Sequence, residues 1–364
     1  MMRNGELTDM MNGAIGRLVK NATRIALSDF SAIPALMNIL KRQGAAADLR
    51  KKHESEGLHV PPFMIASIVR ACNLRCAGCY DRAKQDDESK ISCGPATARE
   101  LDGASWARVF GEARDLGVSF ILLAGGEPLL KREVIRSCSD FPEIIFPVFT
   151  NGLLIDESWT EFFSLARNVI PVLSLEGDES HTDKRRGTGV FASVSDRLAL
   201  LKKRKVFYGA SITLTSENYE NVLSESYVGG LVAGGARVVF FVEYVPFDPE
   251  TESLVVTESQ KAGLPARLER LREKYAAIFL DFPGDEGAFG GCLASGRGFV
   301  HVNAAGSVES CPFAPYADSS VAERPLADAL ASPLLARIRG LQEGLGHTGG
   351  CALFENREKV EALL

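Results

Sequence analysis

No apolar run in this chain is long enough to cross a bilayer, and no stretch near its start has the make-up of a secretion signal. Basic charge is also wanting. Lys and Arg number 41 against 47 Asp and Glu, a net charge of −6, so there is no electrostatic footprint for nucleic acid as the main partner. Disulfide density is missing too: eight cysteines (72, 76, 79, 93, 138, 292, 311, 351) are too sparse in 364 residues for a stapled scaffold. Together these absences predict a reducing, cytoplasmic compartment. What is present is ordinary for a folded protein, with 46% hydrophobic and 24% charged residues. The length suits one large α/β domain with a smaller companion.

The cysteines are unevenly spread. Cys72, Cys76 and Cys79 fall within eight residues, in Ala71-Cys72-Asn73-Leu74-Arg75-Cys76-Ala77-Gly78-Cys79-Tyr80. Just before them, Phe63-Met64-Ile65-Ala66-Ser67-Ile68-Val69 reads as a buried strand. A loop leaving the end of a strand can fold three thiolates around one face of an iron–sulfur cube. Three ligands for four irons leave one iron open to a cofactor or substrate, whereas an electron carrier normally uses four cysteines. The competing readings are a zinc site or three unrelated buried thiols. Zinc wants a fourth Cys or His nearby, and none follows Cys79 within a dozen residues.

The stretch resembles the signature of the radical S-adenosylmethionine (SAM) superfamily: C-x3-C-x2-C, with an aromatic residue, here Tyr80, directly after the third cysteine. That resemblance implies a [4Fe–4S] cluster whose open iron chelates the amino and carboxylate groups of SAM. An electron, supplied by an external donor such as a flavodoxin or ferredoxin, then cleaves SAM to methionine and a 5′-deoxyadenosyl radical. The cofactor carries the chemistry; the protein places it and excludes water.

Further motifs extend the resemblance. Residues 119–123 form a predicted strand opening into Ala124-Gly125-Gly126-Glu127-Pro128. Glycines allow close backbone approach, and Pro128 suits a first helical turn. The resemblance implies that Gly125, Gly126 and Glu127 bind the SAM amino group. Predicted strand 144–149 ends in Thr150-Asn151-Gly152, another turn of the family, and Asn151 joins the candidate cofactor residues. Strand 169–173 runs into Ser174-Leu175-Glu176-Gly177; in relatives with auxiliary clusters a serine here contacts the cofactor, which implicates Ser174. The segment 178–191 resembles H-D-x-x-R-G-x-G-x-F, which singles out Arg186 for a carboxylate or ribose edge and leaves Arg185 solvated.

Two more strands, 208–215 and 238–245, complete six strand–helix units whose notable polar residues sit at strand C-termini, the logic of a TIM-type barrel. Glu243 and Tyr244 fall near the mouth. The expected fold is α/β: a partial (β/α)6 TIM-type barrel with N-terminal helices and a small C-terminal β-hairpin/helix cluster-binding module. Three regions follow: 1–60 helical, 61–250 the barrel, finishing near Pro246, and 251–364 a connection and cluster module. In the first region Ile15, Leu18, Val19, Ala22, Ile25 and Ala26 recur at helical spacing, as do Ile33, Leu36, Met37 and Leu40. Packing on the barrel is the favoured use. Contact with a membrane surface, aided by Lys20, Arg24, Lys41 and Arg42, is the less favoured one.

Downstream, Cys292 precedes a hairpin (299–302 and 307–310, joined by Asn303-Ala304-Ala305-Gly306), and Cys311-Pro312 follows it. A helix at 326–341 and then Gly349-Gly350-Cys351 come after. This block resembles the auxiliary-cluster module of SPASM or twitch radical SAM enzymes, but with three cysteines where a full module has seven. Cys292, Cys311 and Cys351 suffice for one further [4Fe–4S] cluster, with an open iron or a fourth ligand from Cys93, His301, His347 or a carboxylate. Cys138, on an apolar helical stretch, reads as a packed thiol. The expected activity is hydrogen abstraction from an organic substrate, with a small molecule or lipid slightly preferred. The alternative is a peptide or protein, disfavoured because residues 1–60 lack the β-hairpin pattern of a winged-helix peptide-recognition domain. A non-catalytic electron carrier or sensor is the third reading; it has no use for an amino-group grip such as Gly-Gly-Glu-Pro.

Overall fold

Short apolar runs, each closed by a polar or glycine turn, lie side by side in one curled sheet. The computed structural model describes residues 6, 8–13, 33–86, 99–342 and 351–364. The set Ile15–Ala26 with Lys20 and Arg24, the candidate ligands Cys93 and His347, and Gly349-Gly350 lie outside the described residues. The strands are β1 Phe63–Ser67, β2 Phe120–Ala124, β3 Phe146–Thr150, β4 Val169–Leu175, β5 Gly209–Leu214, β6 Val238–Glu243, β7 Ile278–Phe282, β8 Phe299–Val302 and β9 Val308–Glu309. Their order is β7-β6-β5-β4-β3-β2-β1-β8-β9. Each of β1 to β7 is parallel to its neighbours, β8 is parallel to β1, and only β9 runs antiparallel, beside β8.

The strands alternate with period two. In β2, Ile121 and Leu123 are fully buried beneath the outer helices, while Leu122 and Ala124 face an interior cavity. The helix Gly103–Leu116 covers that outer face. Asp102 caps it by accepting from Ser105 N, and Trp106, Val109, Phe110 and Ala113 fall on one buried stripe. Val109 and Phe110 each contribute about 2 kcal/mol by full burial. Gly117 ends the helix at φ +87°, where a Cβ would come within 2.6 Å of Ala46 O. That contact belongs to the helix Ile33–Ser55, whose Arg50, 1% exposed, donates to Ser119 Oγ (2.8 Å). The C-terminal part of this helix therefore packs against the barrel, while the side chains of Ile33, Leu36, Met37 and Leu40 lie outside the described residues. Among the described residues no helix is long and apolar enough to cross a membrane.

The partial barrel is as expected, but the strand count is not. The six predicted barrel strands become a sheet of nine because β7, which was not expected, and the two strands of the expected hairpin join it. After the helix Glu258–Lys274, β7 joins β6 in register, with Phe241 opposite Asp281. Its outer residue Phe279 packs with Leu264, Leu268 and Leu271 of that helix. An acidic residue in mid-strand hid β7 from the hydrophobic pattern. The hairpin was visible, but it is not detached: Phe63 pairs with Phe299 and Ala66 with Val302.

Candidate functional site

The C-terminal ends of the strands surround a cavity of about 820 Å³. Cys72, Cys76, Cys79, Tyr80, Gly125, Gly126, Glu127, Asn151, Ser174 and Arg186 all line it, so one space gathers every candidate residue of the first site. Cys72 is exposed, and Cys76 and Cys79 are half-buried. Its volume lies in the upper range of ligand sites, so it has room for more than one small ligand.

The cysteine loop is sewn to the sheet at several points. Gly126 N donates to Val69 O (2.8 Å) and Glu127 N to Ala71 O (2.9 Å). Here the glycines have a packing reason. A Cβ on Gly125, at φ +127°, would stand 2.3 Å from Val69 O, and one on Gly126 would stand 2.2 Å from Ala71 O. Asn151 Nδ2 donates to Asn73 Oδ1 (2.7 Å), and Ala77 N donates to Arg185 O (2.8 Å). A Cβ on Gly78, at φ +62°, would collide with the Tyr244 hydroxyl, which donates to Thr251 Oγ1 (2.8 Å).

Glu127 is 1% exposed and its carboxylate already serves the protein. Thr150 Oγ1 (2.6 Å) and Leu129 N (3.0 Å) donate to one oxygen, and Asn151 N (2.8 Å) donates to the other. Burial pushes this carboxyl up, against the pull of those donors. Its first visible task is to lock the turns after β2 and β3 together. Glu243, beside the mouth, is also pushed up by burial.

Sequence reasoning missed Glu176 and misplaced Arg185. Glu176, 1% exposed at the end of β4, pairs with both Arg185 and Arg186, and Arg186 Nε donates to it at 2.8 Å. Thr213 N donates to its other oxygen (3.0 Å). Arg185 is therefore not solvated, because a buried carboxylate between β4 and β5 needs counter-charge. No motif spacing announces that pair. Burial raises the Cys76 thiol, while Arg186 and Arg185 pull it back toward the thiolate. Arg185 Nε is buried without a partner among the described residues, a donor left beside the thiols. Three thiols, two guanidiniums and a spare donor suit an anionic thiolate-ligated cluster. Among the described residues no three His, Cys, Asp or Glu side chains close on a single ion. A cube separates its thiolates onto different corners and has no need of that convergence.

A second thiol group lies behind the cavity wall. Cys311, 3% exposed, is hydrogen-bonded to Cys351, and Cys292 is close enough for its charge to act on Cys311 and for that of Cys351 to act on it. Burial pushes Cys292 and Cys311 well up. The shell is apolar: Ala294, Phe299, Leu334, Ile338, Leu353. Glu286, 3% exposed and pushed up to about 8 by burial, is hydrogen-bonded to Cys292 and accepts from Leu293 N (3.1 Å). Cys138 is fully buried and donates to Val134 O (3.3 Å), the packed thiol expected.

His301 is not a spare ligand. Its Nε2 shares a hydrogen bond with Ser67 Oγ (2.8 Å) and its Nδ1 bonds Glu309 Oε2 (2.7 Å). Ser67 is in turn hydrogen-bonded to Tyr80, whose ring meets Phe313 edge-on at 5.1 Å. A buried chain of hydrogen bonds thus links the first cysteine loop to the hairpin that carries Cys311.

Comparison with known proteins agrees with this arrangement. Residues 66–224 match the family described as the Radical SAM superfamily. A relative named AdoMet-dependent heme synthase, from Methanosarcina barkeri, is 23% identical over 320 residues, covering 80% of this chain and 89% of its own. A PqqA peptide cyclase from Methylocella silvestris is 26% identical over 228 residues, 60% of this chain and 58% of its own. Among solved structures, Streptococcus suis SuiB bound to S-adenosylmethionine superposes with a TM-score of 0.63 at 17% identity. That match covers 85% of this chain and 73% of SuiB, and shows a shared fold.

Proposed function

This chain carries a radical SAM domain, and from that premise we propose that it is an enzyme that modifies a peptide by hydrogen abstraction. Cys72, Cys76 and Cys79 hold the [4Fe–4S] cluster. Gly125, Gly126, Glu127, Asn151, Ser174 and Arg186 form the wall against which SAM is seated, and Tyr80 closes the loop behind it. The observation that carries the reading is the gathering of all these residues around one cavity. When bound, the cluster and SAM supply the abstraction of hydrogen from an unactivated carbon. The chain's own residues orient the loop, keep a cationic edge on it and shield the site from water. Electrons come from an external donor of the flavodoxin or ferredoxin kind. Cys292, Cys311 and Cys351 hold a second, auxiliary cluster; the functional division near residue 250 thus falls within a continuous sheet.

A peptide is preferred to the small molecule or lipid first expected. The PqqA peptide cyclase is named for a peptide, and SuiB has also been solved with precursor peptide SuiA. Cys72 is exposed at this cavity, so a substrate segment can approach the first thiol loop from solvent. One observation favours a second reading. The relative aligned over most of this chain is named a heme synthase, and Phe63, Ile65, Leu122, Phe149 and Phe240 offer flat apolar walls to a large ring system. The test is 5′-deoxyadenosine formation under a chemical reductant, with a library of short peptides or with an iron porphyrin added. Stimulation by peptides, with a mass change on the peptide, is the expected result. Stimulation by the porphyrin alone would transfer the assignment to the second reading. No 5′-deoxyadenosine under any condition would sink both.

A further inference from the structure

We propose that Glu286 is the fourth protein ligand of the auxiliary cluster, closing the iron that Cys292, Cys311 and Cys351 leave open. The inference rests on the second-cluster reading above. Glu286 lies in the short helical segment Gly284–Phe289, directly before the turn that delivers Cys292. Its carboxylate is 3% exposed, yet it is aimed at the Cys292 thiol and not at solvent. One oxygen accepts from Leu293 N (3.1 Å), and the carboxylate is hydrogen-bonded to the Cys292 thiol as well.

Among the described residues, only Leu293 N and the Cys292 thiol hold that carboxylate. The guanidinium that acts on it, Arg297, is committed to backbone, donating to Gly291 O (2.8 Å), Cys292 O (2.9 Å) and Phe289 O (2.7 Å). Those three bonds brace the loop around Cys292 and fix Glu286 against it. A buried carboxylate without a paired cation is costly unless it binds one, and an iron corner supplies that charge. His301, a competing candidate, has both ring nitrogens occupied by Ser67 and Glu309. Glu286 also lines the cavity wall, whereas the three cysteines do not. It therefore stands between the substrate space and the cluster. A cluster closed this way takes no substrate onto its iron.

The test uses the full chain with Cys72, Cys76 and Cys79 changed to Ala, so that only the auxiliary cluster loads. It is reconstituted without oxygen using Mössbauer-active iron. We expect about four irons per chain, one of them with the spectrum of an oxygen-ligated corner. Glu286→Cys should make all four irons thiolate-like. Glu286→Gln, which still hydrogen-bonds but is a poor ligand, should lose about one iron on mild oxidation. If both variants reproduce the parent spectrum, Glu286 is not a ligand. Should Glu286→Gln fail to fold, judged by circular dichroism, Glu286→Cys alone decides. A folded parent that binds no iron would overturn the second cluster itself, and this ligand with it. That outcome is distinct from an unchanged four-iron spectrum.

Discussion

The two thiol groups in this chain share a residue type and almost nothing else. The first sits on an exposed loop at a cavity, faced by two arginines and fastened by backbone and side-chain hydrogen bonds. The second is enclosed in an apolar shell, with its nearby arginine spent on carbonyls and a buried carboxylate in reach. An exposed, cationic site can exchange ligands; a dry, closed one keeps the ligands it has. The contrast teaches that the cysteine count alone does not define a cluster's task. Access and local charge do.

Breaking the first site should have the largest effect. Cys76→Ala is expected to abolish SAM cleavage, measured as 5′-deoxyadenosine; cleavage that persists would remove the first site from the comparison. Next comes Gly126→Ala, whose Cβ would stand 2.2 Å from Ala71 O and must displace the cysteine loop. We expect a cleavage rate about tenfold lower, equivalent to about 1.4 kcal/mol, and a rate like the parent's would show the loop to be pliant. Glu176→Ala strands two arginines and should cost about 3 kcal/mol of stability, read by chemical denaturation. By contrast, changing Cys292, Cys311 and Cys351 together to Ala should remove about four irons while leaving uncoupled cleavage in place. Loss of cleavage there would erase the distinction between the sites.

The smallest effect concerns β7, on the flank between the two sites. Burial, reinforced by Glu243 and Asp285, pushes Asp281 up to about 8. In the unfolded chain an aspartate ionises near pH 4, at about 3.9. Between those values the folded chain keeps a proton that the unfolded chain has released, so stability falls as pH rises through the window. Asp281→Asn should flatten that fall, seen as a gain of about 2–4 °C in Tm at pH 8 relative to pH 5. An unchanged pH dependence would place the charge on the aspartate after all.

Much of this was legible because strand ends carry the chemistry. Apolar runs closing in Cys72–Cys79, Gly125–Glu127 and Asn151 fixed six parallel strands and the rim of the cavity. What escaped was whatever depends on contacts between distant segments. Glu176 reads as one more polar turn residue until Arg185 and Arg186 are seen folded over it. Glu286 belongs to no motif and has meaning only beside Cys292. In β7 a buried acid breaks the apolar run that would have revealed the strand. The hairpin was readable from its turn, but its parallel partner was not, since nothing in local sequence says that Phe299 seeks Phe63.

That last pairing bears on how the protein is made. The strand feeding the first cysteine loop leaves the ribosome well before β8, which covers its free edge. Until synthesis passes Val302, β1 offers an unpaired edge and the loop has no hairpin beside it. Iron delivered during that interval would meet solvent on a flank that β8 later covers, so maturation is best timed after the hairpin has paired with β1. Nascent chains halted just before Phe299 should accordingly be cut by protease near β1, and chains extended beyond the hairpin should resist.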